Sequence, residues 1–212
     1  MRRRLIEKHS RWIRWTHWLN FPLLSVMLWS GIWIYWANDV YRPFFPEWFY
    51  EFFRIDHKLA KGMAVHFFFM WPFLLNGLVH AVYLAVTGEW RHITPDRKAW
   101  RELPSTFTAD LGWGTSPPIR GKFNAAQRVA YTCILLMGTI SILSGLAIYK
   151  PVQLDIIRTA FGGYETARLI HFVLALGYAV FFIIHVIQVL RAGWNNLRSM
   201  LAGFEVKNNA KG

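Results

Sequence analysis

The sequence predicts an all-α membrane protein: a four-transmembrane-helix bundle with N- and C-termini in the cytoplasm and an interfacial helix between the first two spans. Three observations carry this. Four stretches, 15–38, 62–88, 129–149 and 169–190, contain no Asp, Glu, Lys or Arg. Each is long enough to cross a bilayer core, for which about 20 apolar residues suffice. Only 17% of the chain is charged, against roughly a quarter in soluble domains. The basic residues also fall on alternate connections. These features exclude a soluble globule, a disordered chain and a nucleic-acid-binding domain, despite a net charge of +12.

The first element is a basic segment with Arg2, Arg3, Arg4, Lys8, Arg11 and Arg14. The apolar stretch after it is too long for a signal peptide and contains Trp and His, so it reads as a retained span. Trp12, Trp15 and Trp18 mark its entry, and Trp33 and Trp36 its far end, where aromatic rings settle at headgroup depth. Segment 39–61 is aromatic (Tyr41, Phe44, Phe45, Trp48, Phe49, Tyr50, Phe52, Phe53) and supplies the interfacial helix.

The second span leads into a basic connection, 89–128, whose Pro95, Pro104, Gly112, Gly114, Pro117 and Pro118 are loop chemistry. It is too short for a catalytic domain of its own, so residues 1–212 read as one four-helix domain. The N-terminal segment, this connection and the C-terminal tail carry a net +11; the two remaining loops carry +1. The positive-inside rule therefore orients both ends toward the cytoplasm.

Cysteine narrows the chemistry. Cys133 is the single one, so the chain offers no internal disulfide, no thiolate-built zinc or iron–sulfur site and no C-x-x-C-H haem attachment. Five of eight histidines, His17, His66, His80, His171 and His185, lie within the uncharged stretches, where an ionisable group marks function by default. The interval from His66 to His80 equals that from His171 to His185. On a helix this interval falls about 40° short of four full turns and rises about 21 Å. Each pair therefore shares a face, one member toward each leaflet, which suits two stacked cofactors. Without a thiolate, bis-histidine haem b is the natural candidate, since two neutral imidazoles favour electron transfer over oxygen chemistry. His66 faces His171 at the outer site. At the inner site His185 pairs with either His17 or His80.

Several motifs accompany these histidines. Arg14-Trp-Thr-His-Trp18 heads span one and Val65-His-Phe-Phe begins span two. Lys122-Phe-Asn-Ala-Ala-Gln-Arg128 precedes span three, Ser144-Gly-Leu-Ala-Ile-Tyr-Lys-Pro151 closes it, and Leu169-Ile-His…His185 lies in span four. In order and spacing the chain resembles the di-haem cytochrome b subunits of membrane-bound formate dehydrogenases, nickel–iron hydrogenases and thiosulfate-reductase-type enzymes.

That resemblance implies His17 with His185 at the cytoplasmic-side haem and His66 with His171 at the outer haem, leaving His80 as an extra histidine. It also implies quinone chemistry beside the cytoplasmic-side haem, through Asn124 and Gln127 of Phe123-Asn-Ala-Ala-Gln127. Here Ala126 replaces the family's glycine. The same Asn124 stands where an N-cap of the third helix belongs.

The function so implied is a subunit of the bacterial or archaeal cytoplasmic membrane that carries electrons between a partner oxidoreductase and quinone. The expected partner is a molybdenum-containing or nickel–iron enzyme, with an iron–sulfur subunit between, docked on 39–61 and 150–168. A stand-alone cytochrome b taking electrons from a diffusible donor is the alternative. A haem-free proton-relay transporter or anchor ranks below both.

Overall fold

The computed structural model describes residues 3–37, 42–115, 117–118 and 121–208; Arg2 and Tyr41, invoked above, lie outside this set. In chain order the elements are β1 (Arg3–Glu7), α1 (Arg11–Trp36), α2 (Glu47–Phe52), α3 (Leu59–Thr87), α4 (Trp90–Ile93), α5 (Arg97–Asp110), α6 (Ala125–Tyr149), α7 (Asp155–Ala160), α8 (Tyr164–Ala192), α9 (Trp194–Ala202) and β2 (Phe204–Asn208). The helices α1, α3, α6 and α8 are long and apolar enough to cross a membrane, matching the four predicted spans. Each starts shortly before its charge-free stretch, because backbone hydrogen bonding continues through the charged turn. Ser10 and Asn124 cap α1 and α6 by accepting from the Ile13 and Gln127 amides.

Burial is inverted relative to a soluble core. Val86, Leu190 and Phe68 point outward at 81%, 73% and 70% exposure, whereas the hydroxyls of Ser30 and Ser144 are fully buried. Lipid accepts the apolar side chains, and polar groups must find partners inside the protein.

Two compact units divide the chain: residues 1–80 with 179–212, and residues 81–178. In the first, β1 and β2 form an antiparallel ribbon that joins the two ends of the chain, Arg3 opposite Asn208 and Glu7 opposite Phe204. The all-α expectation did not include this ribbon. Lys8 ties it down through Glu205 (3.2 Å) and Asn196 (3.0 Å). The Arg14 guanidinium donates to the Leu201 carbonyl, and the Trp18 indole donates to that of Met200. Gly203 ends α9 with φ +97°, and a Cβ there would stand 3.2 Å from the Arg14 guanidinium. At the other end of α1, Trp33, Tyr50 and Ile55 form a buried cluster. Trp36 stacks on Tyr50 at 3.8 Å, and the Trp33 indole donates to the Asp56 carbonyl at 2.8 Å. The aromatic segment thus folds onto the end of α1, with the short α2 as its helix.

In the second unit, the connection read as loop contains the helix α5, with Pro104 inside it rather than at its end. Asp96 caps α5 by accepting from the Ala99 amide at 2.7 Å. Arg128 reaches from α6 to Asp96 (3.2 Å) and to the Thr94 carbonyl. Lys122 pairs with Glu89 at 2.8 Å. The connection is therefore fastened to the start of α6 by charge pairs.

Candidate functional site

Three of the intramembrane histidines, His66, His80 and His171, meet hydroxyls. Ser30 of α1 lies 2.8 Å from His66 Nδ1. Its own proton goes back to the Val26 carbonyl at 2.7 Å, the usual back-bonding of a serine within a helix. With that proton on the Val26 carbonyl, Ser30 Oγ is free to accept from His66 Nδ1. A neutral imidazole that donates from Nδ1 presents its lone pair at Nε2. This tautomer is the one a metal needs, and a partner on the far nitrogen is the normal companion of a ligating histidine.

The same unit recurs elsewhere. In α6, Ser144 lies 3.1 Å from His171 Nδ1, and the Ser141 carbonyl lies 3.0 Å from the same nitrogen. A carbonyl only accepts, so His171 Nδ1 carries the proton. Each serine is followed by glycine, and each ring packs over it. A Cβ on Gly145 would stand 3.1 Å from His171 Cε1, and one on Gly31 would stand 3.9 Å from His66 Cε1. Thr16 of α1 repeats the hydroxyl contact with His80 Nδ1 at 2.8 Å and returns its proton to the Trp12 carbonyl at 2.9 Å. Sequence reasoning did not assign roles to Ser30, Ser144 and Thr16. The available signal was the equal interval of two hydroxyls on one helix and two histidines on another.

His17 and His185 are arranged differently. Their rings face one another with centroids 5.9 Å apart and planes inclined at 60°, within the first unit. Two imidazoles bound on opposite sides of one metal ion, through bonds of about 2 Å, hold their centroids roughly 6 Å apart. The pair therefore fits a bis-imidazole site. His17 Nδ1 is buried with no hydrogen-bond partner among the described residues. His66 belongs to the first unit and His171 to the second. The donor set of nitrogens, without thiolate, also suits haem iron, and the only cysteine, Cys133, is free and exposed.

Asn124 and Gln127 form a capping box at the start of α6. The Asn124 side chain accepts from the Gln127 amide at 2.8 Å, and the Gln127 side chain accepts from the Asn124 amide at 3.1 Å. The capping role expected of Asn124 is thus present, and the amide oxygens of both residues are engaged in it. Asn124 also lines a cavity of about 90 Å³ with Phe123, Pro117, Pro118 and Arg128.

Outside the spans, two carboxyls are perturbed. Hydrogen bonding to Lys61 holds Asp56 below the usual carboxylate range. The Ala99 amide, helped by Arg128, does the same for Asp96.

Comparison with known proteins agrees with this chemistry. The family described as prokaryotic cytochrome b561 matches residues 8–203. A protein of Azospira oryzae, described as the putative protein-methionine-sulfoxide reductase subunit YedZ1, is 30% identical over 190 residues, covering 89% of this chain and 93% of the relative. Four apolar helices and a match over nearly the whole length make this a multi-pass bacterial inner-membrane haem b protein of electron transfer, and the chain belongs to the prokaryotic cytochrome b561 family.

Proposed function

We propose that the protein is a membrane-anchoring di-haem b subunit that passes electrons between a partner oxidoreductase and the membrane quinone pool. Bound by two imidazoles, haem b supplies a one-electron carrier with no open iron position. His66 with His171 would hold the outer group, and His17 with His185 the cytoplasmic-side group. The observation that carries the reading is the serine behind each histidine: His66 Nδ1 lies 2.8 Å from Ser30, and His171 Nδ1 lies 3.1 Å from Ser144 and 3.0 Å from the Ser141 carbonyl, an arrangement that suits ligation through Nε2. The 5.9 Å approach of His17 and His185 supports the second pair.

The chain's own residues orient the rings and keep their ligating nitrogens unprotonated. The Arg14 guanidinium, one turn before His17, has a buried Nε–H with no partner among the described residues, a donor suited to a carboxylate at that end of the span. Asn124 and Gln127 keep their amide N–H groups after capping α6, and these are the donors we assign to a quinone carbonyl. Phe123 and Arg128 flank Asn124 in the same cavity.

The substrate chemistry belongs to a catalytic partner. The relative's description as a reductase subunit supports such a partner. The classes proposed are molybdenum-containing or nickel–iron oxidoreductases, with an iron–sulfur subunit between. Its docking surface would be the aromatic segment around α2 and the loop around α7, and both termini would lie in the cytoplasm, as the basic connections require.

Purification after haem-replete expression tests this. Pyridine haemochrome analysis should give two haems b per chain, and added quinol should reduce them. A colourless protein would overturn the haem assignment, and haems unresponsive to every quinol and quinone would overturn the quinone role.

A further inference from the structure

Thr16 and Ser30 on α1 are separated by the same interval as His80 and His66 on α3. Ser30 meets His66 and Thr16 meets His80, both at 2.8 Å. The α1–α3 pair thus carries one hydroxyl–imidazole unit twice, about four turns apart. One copy dresses a histidine of the proposed ligand set. The other dresses His80, which that set leaves without a task.

An interhelical hydrogen bond alone does not account for His80. With the Thr16 proton on the Trp12 carbonyl, His80 donates from Nδ1 and its lone pair sits at Nε2. Within a bilayer a polar atom without a partner is costly, and His80 Nε2 makes no hydrogen bond among the described residues. The contact is buttressed. Asn76, one turn before His80, donates to the Thr16 carbonyl at 3.0 Å, and Thr16 and Asn76 are each only 7% exposed. This much buried polar structure presents one bare nitrogen lone pair.

His80 also has company. His80 meets Thr16, the residue before His17, and His17 lies 5.9 Å from His185 between ring centroids. His80 thus meets α1 directly beside the residue whose ring lies opposite His185. His80 and His17 are not held alike. His80 is fixed by Thr16, whereas His17 Nδ1 is buried without a partner among the described residues, so nothing of that kind fixes the His17 ring.

We propose that His80 is a third iron-competent imidazole, able to replace His17 opposite His185. The exchange breaks one iron–nitrogen bond and forms another between neutral donors, with no electron or proton transferred. The proposal rests on the haem reading above, but its failure is distinguishable: a wild-type protein without haem sinks that reading, whereas the variants below address His80 alone.

The test uses full-length protein in detergent, read by haem-to-protein ratio and by the low-spin electron paramagnetic resonance signals. H17A should keep two haems, with one low-spin signal shifted and the other unchanged. H17A/H80A should keep one haem, whose unchanged signal reports that the fold survives. Adding T16V to H17A should lower the second haem several-fold, and T16S should restore it. A single haem in H17A would overturn the proposal, as would loss of one haem in H80A alone, which would make His80 the standing ligand. Should H17A fail to accumulate, H17Q, closer to histidine in volume, is read the same way.

Discussion

His171 Nδ1 is shared between the Ser144 hydroxyl at 3.1 Å and the Ser141 carbonyl at 3.0 Å. Two acceptors from one turn of α6 thus hold a single proton on α8. The carbonyl cannot be removed by mutation of a side chain, which makes this tautomer robust. S144A should therefore keep its haem, with affinity lowered about tenfold or less, at the mild end of the effect of removing a partner behind a ligating histidine. H171A should lose one haem outright. Haem titration of the apoprotein separates the two.

Gly145 and Gly31 occupy matching places after their serines but differ in clearance. A methyl on Gly145 meets His171 Cε1 at 3.1 Å, whereas one on Gly31 meets His66 Cε1 at 3.9 Å, ordinary contact. G145A should push the ring aside, shifting or abolishing one low-spin signal. G31A should leave the spectrum close to wild type. Equal effects of the two substitutions would contradict the geometry.

Asn124 caps α6 and is the donor proposed for quinone, two roles that substitution can separate. Serine is as good an N-cap as asparagine, while alanine costs about 1 kcal/mol of helix stability. N124S should keep thermal stability near wild type yet slow haem reduction by quinol. N124A should lower both. If N124S reduces at the wild-type rate, Asn124 is a cap and nothing more.

Asp96 sets a pH dependence. Its carboxyl is held below the usual range, first by the Ala99 amide and then by Arg128. Because the folded value is the lower one, the contribution is complete above the ordinary aspartate value of about 3.9 and fades as pH falls through the depressed value. D96N keeps a capping oxygen without the charge. The difference in melting temperature between wild type and D96N should be constant from about pH 7 to 5 and shrink below about pH 4.

The spans were legible because a bilayer imposes one simple condition, about 20 residues without charge. The end of α1 at Trp36 follows from length alone. Depth along the spans allowed His185 to meet either His17 or His80; the structure sets the His17 and His185 rings 5.9 Å apart, a packing detail with no local signal. The helix α5 was hidden by Pro95, Pro104 and Gly112, which signal turns locally. Its cap at Asp96 and the reach of Arg128 decide otherwise. The serines behind the histidines were illegible for another reason. A hydroxyl in a span reads as tolerated polarity until its partner on another helix is known. Likewise, nothing local in Arg3–Glu7 announces that its partner strand is Phe204–Asn208.

That ribbon bears on the order in which the molecule is made. Ser30 and His66 are near in sequence, so their contact can form while most of the chain is still on the ribosome. Arg14 and Trp18 wait for Leu201 and Met200, at the far end of the chain. The end of α1 that bears His17 is therefore fastened only after Leu201 and Met200 have been made. Contacts along α1 thus become available from the Ser30–His66 end toward the His17 end, and β1 waits for β2, about two hundred residues on, to pair with it.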